Sequence, residues 1–95
     1  MIFCVIFEDN EEHADMRPRH MSAHLEFLRK NANSIEAAGP LVDTEGNVPA
    51  GGMWLVRTDT AEHVGALVAA DPFWPTGLRK SVRILQWNQV FSSTK

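Results

Sequence analysis

The order of strand-like and helix-like segments constrains the fold of this chain more than any other feature. Runs of β-forming residues, bounded by polar, glycine or proline residues, lie at residues 2–7, 34–42, 53–56 and 82–87. Helical apolar spacing lies between the first two of these runs and again between the last two. The stretches that remain have the composition of loops and turns, at residues 8–15, 43–49 and 72–76. The predicted order is therefore β-α-β-β-α-β.

The two predicted helices have recognisable beginnings. The first begins near Arg17, with Asp15 as its N-cap, and fades at residues 31–33. The second opens on Asp59 and Glu62, whose spacing is that of a capping box, and it closes where a proline follows. This order of elements is that of the ferredoxin-like α+β fold, in which two helices cover one face of a four-stranded antiparallel sheet.

Three of the predicted strands carry apolar side chains on both faces. In the first strand Phe3 and Val5 point to one side, and Cys4 and Ile6 point to the other. Two helices cover only one face, so the other would expose a larger apolar patch than soluble monomers normally do. We expect a second copy of the sheet to cover it in a two-fold homodimer.

The bulk composition is that of one ordinary globular domain, at residues 1–95, with 44% hydrophobic and 22% charged residues. A net charge of −3 without a run of lysine and arginine argues against nucleic-acid binding. The longest apolar run is too short to span a membrane and lacks the basic flank of a secretory signal. A single cysteine, Cys4, allows no internal disulfide. The expected location is the cytoplasm.

Two ionisable residues occupy positions on the apolar faces of the predicted helices. The apolar stripe of the second helix consists of Val64, Leu67, Val68 and Asp71. The stripe of the first helix consists of Met21, Leu25, Leu28 and Ala32, and His24 lies among them. A carboxylate at the C-terminal end of a helix meets the negative end of the dipole and needs a compensating donor. His24 is the obvious partner for Asp71, although a solvated turn carboxylate and an ordinary core histidine remain the alternatives.

Residues close to this pair in sequence complete a predicted cleft. Arg17, nearly two helical turns before His24, is the candidate group for binding a substrate anion. Pro72, Phe73 and Trp74 are candidates for an apolar wall, and the alternative is that the aromatic rings pack in the core or a dimer interface.

No metal or cofactor site is predicted. His20 and His24 have the spacing with which two imidazoles can bind one metal ion, but no third ligand lies nearby in sequence. The Gly51-Gly52 pair precedes a strand and not a helix, which argues against a phosphate loop.

Three motifs in order resemble the YCII-related (YciI-like) family. They are His-Leu-Glu-Phe-Leu at residues 24–28, Ala-Gly-Pro-Leu at 38–41, and Ala-Ala-Asp-Pro-Phe at 69–73 with Gly77 shortly after. Two positions depart from the family pattern, since Met21 stands where an arginine is common and Met53 where a serine is common.

The resemblance implies a ferredoxin-like fold, a dimeric α+β barrel and an active site around a histidine–aspartate pair, which by motif position is His24 and Asp71. The expected activity is cofactor-free proton transfer on a small molecule, of the lyase or isomerase type: isomerisation, dehydrochlorination or lactone chemistry. The alternative is a non-catalytic dimer that binds a small molecule or a protein and uses the pair as a structural ion pair.

Overall fold

A computed structural model describes residues 1–93 and contains four strands and two α-helices. In chain order these elements are β1 (Ile2–Asp9), α1 (Met16–Lys30), β2 (Ile35–Asp43), β3 (Val48–Arg57), α2 (Ala61–Ala70) and β4 (Arg79–Trp87). Two short 3-10 helices lie at Glu11–His13 and Trp74–Thr76. The β-α-β-β-α-β order predicted from sequence is confirmed.

The four strands form one antiparallel sheet in the order β2-β3-β1-β4. The two connections that contain helices each join strands that are not neighbours, so β1 lies between β3 and β4. This topology confirms the predicted ferredoxin-like α+β fold, with β2 and β4 at the edges.

Both helices pack on the same face of this sheet. Along β1 the side chains alternate, so that Phe3, Val5 and Phe7 are buried while the residues between them are half-buried. The buried core contains Phe3, Val5, Phe7, Ile35, Trp54, Val56, Val64, Leu67 and Val68, with Phe27, Leu28, Val82 and Ile84 packed against it. The opposite face has no cover in the monomer and includes Cys4, Met53, Leu55, Leu85 and Trp87.

The apolar face of α1 differs from the predicted stripe. Leu25 is 40% exposed, and Ala32 lies beyond the helix and is exposed. Phe27 packs against the core instead, with its ring centroid 6.1 Å from that of Trp54. Because His24 and Leu28 point at the sheet, the helical period places Phe27 on the inner face and Leu25 at its margin.

Three element boundaries also differ from the predictions. The N-cap of α2 is Thr60 and not Asp59, because Thr60 has an extended backbone and its hydroxyl accepts a hydrogen bond from the His63 N–H at 3.1 Å. The Gly39-Pro40 pair is expected from the sequence to interrupt β2, but the strand continues through Pro40 with only a shift in register. An edge strand tolerates this proline because one of its sides needs no ladder hydrogen bonds. Strand β3 begins at Val48, inside the predicted 43–49 loop, and strand β4 begins at Arg79, three residues earlier than predicted.

No helix among residues 1–93 is long and apolar enough to cross a membrane.

Candidate active site

His24 and Asp71 lie against each other inside the protein. His24 is in the middle of α1 and 6% exposed, and Asp71 directly follows α2 and is 2% exposed. The His24 Nδ1 atom is 2.8 Å from the Asp71 Oδ1 atom. An ionised carboxylate can only accept hydrogen bonds, so Nδ1 carries the proton and Nδ1–H donates a hydrogen bond to Asp71.

The end of α2 explains how a carboxylate is tolerated at this position. Pro72 disfavours a helical conformation at Asp71, which is extended with φ −64° and ψ 130°. This geometry lets the Asp71 Oδ1 atom accept a second hydrogen bond, from the Phe73 N–H at 3.1 Å. Two donors thus compensate the carboxylate for its burial at the negative end of the helix dipole.

The predicted apolar wall is divided between the core and the surface. The fully buried Phe73 ring stacks on the His24 imidazole, with centroids 4.1 Å apart and an interplanar angle of 17°. Pro72 is half-buried, and Trp74 is 41% exposed. Phe73 therefore holds the imidazole in place, and a contact of Pro72 or Trp74 with a substrate stays a prediction.

A cavity of about 90 Å³ opens beside the imidazole, between α1 and the β2–β3 edge of the sheet. Its lining consists of Arg17, Met21, His24, Leu25, Leu28, Ala38, Gly39, Pro40, Gly52, Trp54 and Arg79. The His24 Nε2 atom has no hydrogen-bond partner among residues 1–93, yet it is not one of the fully buried unpaired atoms. Because His24 lines the cavity, we infer that Nε2, on the ring edge away from Asp71, faces it.

Arg17, predicted to bind a substrate anion, lines this cavity and is part of an ion pair. Its Nη2 atom is 2.5 Å from the Asp9 Oδ2 atom, and its guanidinium carbon lies 5.5 Å from the centre of the Phe73 ring. The side chain is 25% exposed, so one part of the guanidinium stays accessible. Binding of an anion by Arg17 stays a prediction.

A second arginine, Arg79, lies in the same cavity and is not among the residues predicted from sequence. Its Nη1 atom donates to the other Asp9 oxygen, Oδ1, at 3.0 Å. Its guanidinium carbon lies 4.1 Å from the centre of the Phe7 ring and 5.2 Å from that of Phe73. Burial lowers the pKa of the Arg79 guanidinium, and the hydrogen bond to Asp9 opposes that effect.

A bulge at the end of the β1–β4 ladder places Arg79 on this face. Glu8 pairs with Ser81 but Asp9 pairs with Arg79, so Lys80 is the extra residue. Plain alternation from the inward-facing Val82 would turn residue 80 toward the helices, and the bulge turns residue 79 there instead. The reversal is local to one residue, which is why alternation in the sequence does not indicate it.

The predicted site residues do not form a metal centre in the described chain. No group of three or more histidine, cysteine, aspartate or glutamate side chains among residues 1–93 is arranged to hold a metal ion. Nδ1 of His24 is engaged with Asp71, and His63 is bonded through its own Nδ1 to the Thr58 hydroxyl.

The fold and the buried pair define a small α+β protein whose histidine–aspartate site is formed by the middle of α1 and the residue that follows α2. The family model of the YCII-related domain matches residues 1–88. The chain therefore belongs to the YCII-related family, as the three sequence motifs predicted.

A solved structure with the same fold is 5-chloro-2-hydroxyhydroquinone dehydrochlorinase (TftG) from Burkholderia phenoliruptrix AC1100, in complex with 2,5-dihydroxybenzoquinone. The two chains align with a TM-score of 0.79 and 23% sequence identity, over 93% of this chain and 94% of the other. No curated protein sequence matches this chain.

Proposed function

We propose that this protein is a cofactor-free acid–base enzyme acting on a small molecule, with His24 as the proton-transfer group and Asp71 as the group that orients it. One observation carries the proposal: the Nδ1 edge of His24 is held by a buried carboxylate at 2.8 Å, and the Nε2 edge opens to a cavity. An imidazole held in this way presents an unprotonated nitrogen to a ligand in the cavity.

In the proposed reaction the His24 Nε2 atom takes a proton from a substrate carbon. The C–H bond breaks, and its electron pair moves into the substrate to form an enolate or a new double bond. The ring becomes an imidazolium, which the Asp71 carboxylate stabilises through Nδ1–H. In an isomerisation the imidazolium returns the proton at another carbon. In a dehydrochlorination chloride leaves with its bonding pair and the imidazolium later releases the proton to solvent.

The lining of the cavity supports a substrate with an apolar body and at least one oxygen. Met21, Leu28 and Trp54 supply apolar surface, and Arg17 supplies a positive charge. The similarity to a dehydrochlorinase that binds a dihydroxybenzoquinone supports oxygenated ring compounds as the substrate class. We include Arg17, Pro72, Phe73 and Trp74 in the proposal as the residues around that substrate.

A screen for turnover tests the assignment of the base. Hydroxylated aromatics, chlorinated quinols and muconolactones are incubated with wild type, His24→Ala and His20→Ala. His20 is a matched control because it lies one turn earlier on α1 and does not line the cavity. We expect turnover by wild type and His20→Ala and a loss of about 100-fold or more in His24→Ala.

Activity that survives His24→Ala undiminished would exclude His24 as the base. If no compound turns over but several raise the melting temperature, the protein is a binding module and the pair is structural.

The proposed assembly is a homodimer in which the uncovered sheet faces pack together as an α+β barrel. Leu85 and Trp87 are 41% and 44% exposed on that face, beside Cys4 and Leu55. Soluble proteins rarely leave an apolar surface of this kind exposed to water, and a second copy of the sheet would cover it. The lone cysteine supports a cytoplasmic location, which stays a prediction.

A further inference from the structure

We propose that Arg79 is the residue that makes this cavity select a small organic anion, one whose charge is delocalised over oxygen. The inference deepens the proposed function and rests on the same cavity, but it concerns recognition of the ligand and not the proton transfer.

The guanidinium of Arg79 is buried with most of its donors unused. The side chain is 3% exposed, and its one hydrogen bond is from Nη1 to Asp9. Nε is the only side-chain nitrogen or oxygen within the described residues that is fully buried without a partner. Nη2 makes no hydrogen bond within the described residues either, and Arg79 lines the cavity. A buried charge with one of five N–H groups paired is costly, and an acceptor in the cavity would offset that cost.

The surrounding backbone leaves room at the guanidinium. A Cβ atom on Gly52 would stand 3.4 Å from the Arg79 Nη1 atom and 3.3 Å from the Gly39 carbonyl oxygen. Both glycines line the cavity, so neither of these two positions places a side chain beside the arginine.

The one carboxylate that is hydrogen-bonded to Arg79 is shared with a second arginine. Asp9 is shared by two guanidinium groups, Arg17 at its Oδ2 atom and Arg79 at its Oδ1 atom. Asp71 is engaged on the other side by the His24 ring and the Phe73 N–H. The N–H groups of Arg79 that Asp9 does not engage therefore favour an acceptor that carries negative charge.

The size and walls of the cavity define the rest of the ligand. A volume of about 90 Å³ is room for roughly three water molecules, so the cavity would enclose the oxyanion group and adjoining carbon atoms of a ligand, and the rest of a larger ligand would extend out of it. The aliphatic walls from Met21, Leu28 and Pro40 suit a flat apolar body. A carboxylate and a phenolate or enolate share this chemistry, since either presents delocalised oxygen to the planar guanidinium.

The binding test compares anions with neutral analogues of the same shape. Crotonate is paired with crotonamide, and 4-nitrophenol in mildly alkaline buffer, where it is ionised, is paired with nitrobenzene. Dissociation constants are measured by NMR titration of wild type, Arg79→Met, Arg79→Lys, Arg17→Met and Arg29→Met. Arg29 is a matched control, because it is an exposed arginine of α1 paired with Glu26 outside the cavity.

We expect wild type to bind at least one of the two anions about tenfold or more tightly than its neutral analogue. Arg79→Met loses that preference while the affinity for the neutral analogue stays within about twofold. Arg79→Lys keeps part of the preference, because the charge remains but the planar fork is lost. Arg29→Met binds like wild type. A preference for crotonate identifies the ligand as a carboxylate, and a preference for ionised 4-nitrophenol identifies it as a phenolate.

The proposal is overturned if wild type does not distinguish the anions from their neutral analogues, or if Arg79→Met retains the preference and Arg17→Met loses it. If Arg79→Met fails to fold, two other measurements replace it: the anion preference of Arg79→Lys, and the shift of the wild-type Arg79 Nε–H resonance on adding crotonate. An unchanged preference in Arg79→Lys, or an unchanged resonance, overturns the proposal. His24→Ala keeps the anion preference whether or not it turns a substrate over, so failure of the base assignment is distinguishable from failure of this one.

Discussion

Replacing Asp71 by alanine removes the acceptor of two buried hydrogen bonds, from the His24 Nδ1–H and the Phe73 N–H. Each buried donor left without a partner costs about 1–3 kcal/mol, so the free energy of unfolding should fall by about 2–6 kcal/mol. In a domain of this size 1 kcal/mol corresponds to roughly 4–8 °C in the melting temperature. We expect Asp71→Ala to melt at least about 8 °C below wild type.

Asp71→Asn separates the hydrogen bonds from the charge. The asparagine Oδ1 atom still accepts from the Phe73 N–H, and removal of the buried anion offsets the weaker bond to His24. The free energy of unfolding should therefore stay within about 1 kcal/mol of wild type. Asp59→Ala is the matched control, because Asp59 is exposed and does not cap α2, and it should change stability by less than about 0.5 kcal/mol.

The assay is thermal unfolding of all four proteins at one concentration, with ¹⁵N NMR of the imidazole beside it. Wild-type His24, when neutral, should carry its proton on Nδ1, and Asp71→Ala should shift the population toward the Nε2–H form. Equal melting temperatures for the alanine and asparagine variants would show that the charge, and not the hydrogen bonds, stabilises the pair. An unchanged imidazole spectrum in Asp71→Ala would refute the role of Asp71 in orienting the ring.

Two further predictions concern the assembly and the backbone. Wild type at micromolar concentration should sediment at about twice the 10.6 kDa chain mass. Leu85→Asp should shift the protein to monomer, because the dimer would bury an unpaired charge. A monomeric wild type would contradict the proposed dimer. Gly51→Ala should lose more than about 1 kcal/mol in unfolding free energy, since φ is +103° and its Cβ atom would stand 1.9 Å from the Phe7 carbonyl oxygen. Gly65→Ala in α2, where nothing lies within 4 Å of the new Cβ atom, should instead gain about 0.4–1 kcal/mol, and equal effects at the two glycines would contradict the described β1–β3 approach.

The architecture and the inward direction of two polar side chains were predictable because both depend on local periodicity. Strand and helix periods set the order of elements, and the stripe that ends in Asp71 placed that residue on the buried face of α2. In α1 the sequence pattern predicts the helical period but displaces the inner face, because it places Leu25 there instead of Phe27. Which residues of the helix face inward depends on where the sheet lies relative to it, and the sequence of the helix alone does not contain that information.

The other half of the site depends on contacts between distant residues. Asp9 meets Arg79 across 70 positions in sequence, and a one-residue bulge decides that Arg79 and not Lys80 faces inward. Neither alternation nor charge spacing reports such a bulge. The cavity walls from Gly39 and Gly52 likewise follow from the pairing of β2 with β3, which sequence pattern alone does not determine.

The position of Phe73 explains how these independent events produce one site. The end of α2 buries the Phe73 ring, the phase of α1 stacks His24 on it, and the bulge brings Arg79 to within 5.2 Å of its centre, with Arg17 at 5.5 Å. A cation near an aromatic face is stabilised by the ring, so Phe73 favours both guanidinium groups and would also favour an imidazolium at His24. The same residue donates its backbone N–H to Asp71. The orientation of the proposed base His24 and the position of Arg79, the proposed anion-binding residue, thus both depend on contacts with one buried ring.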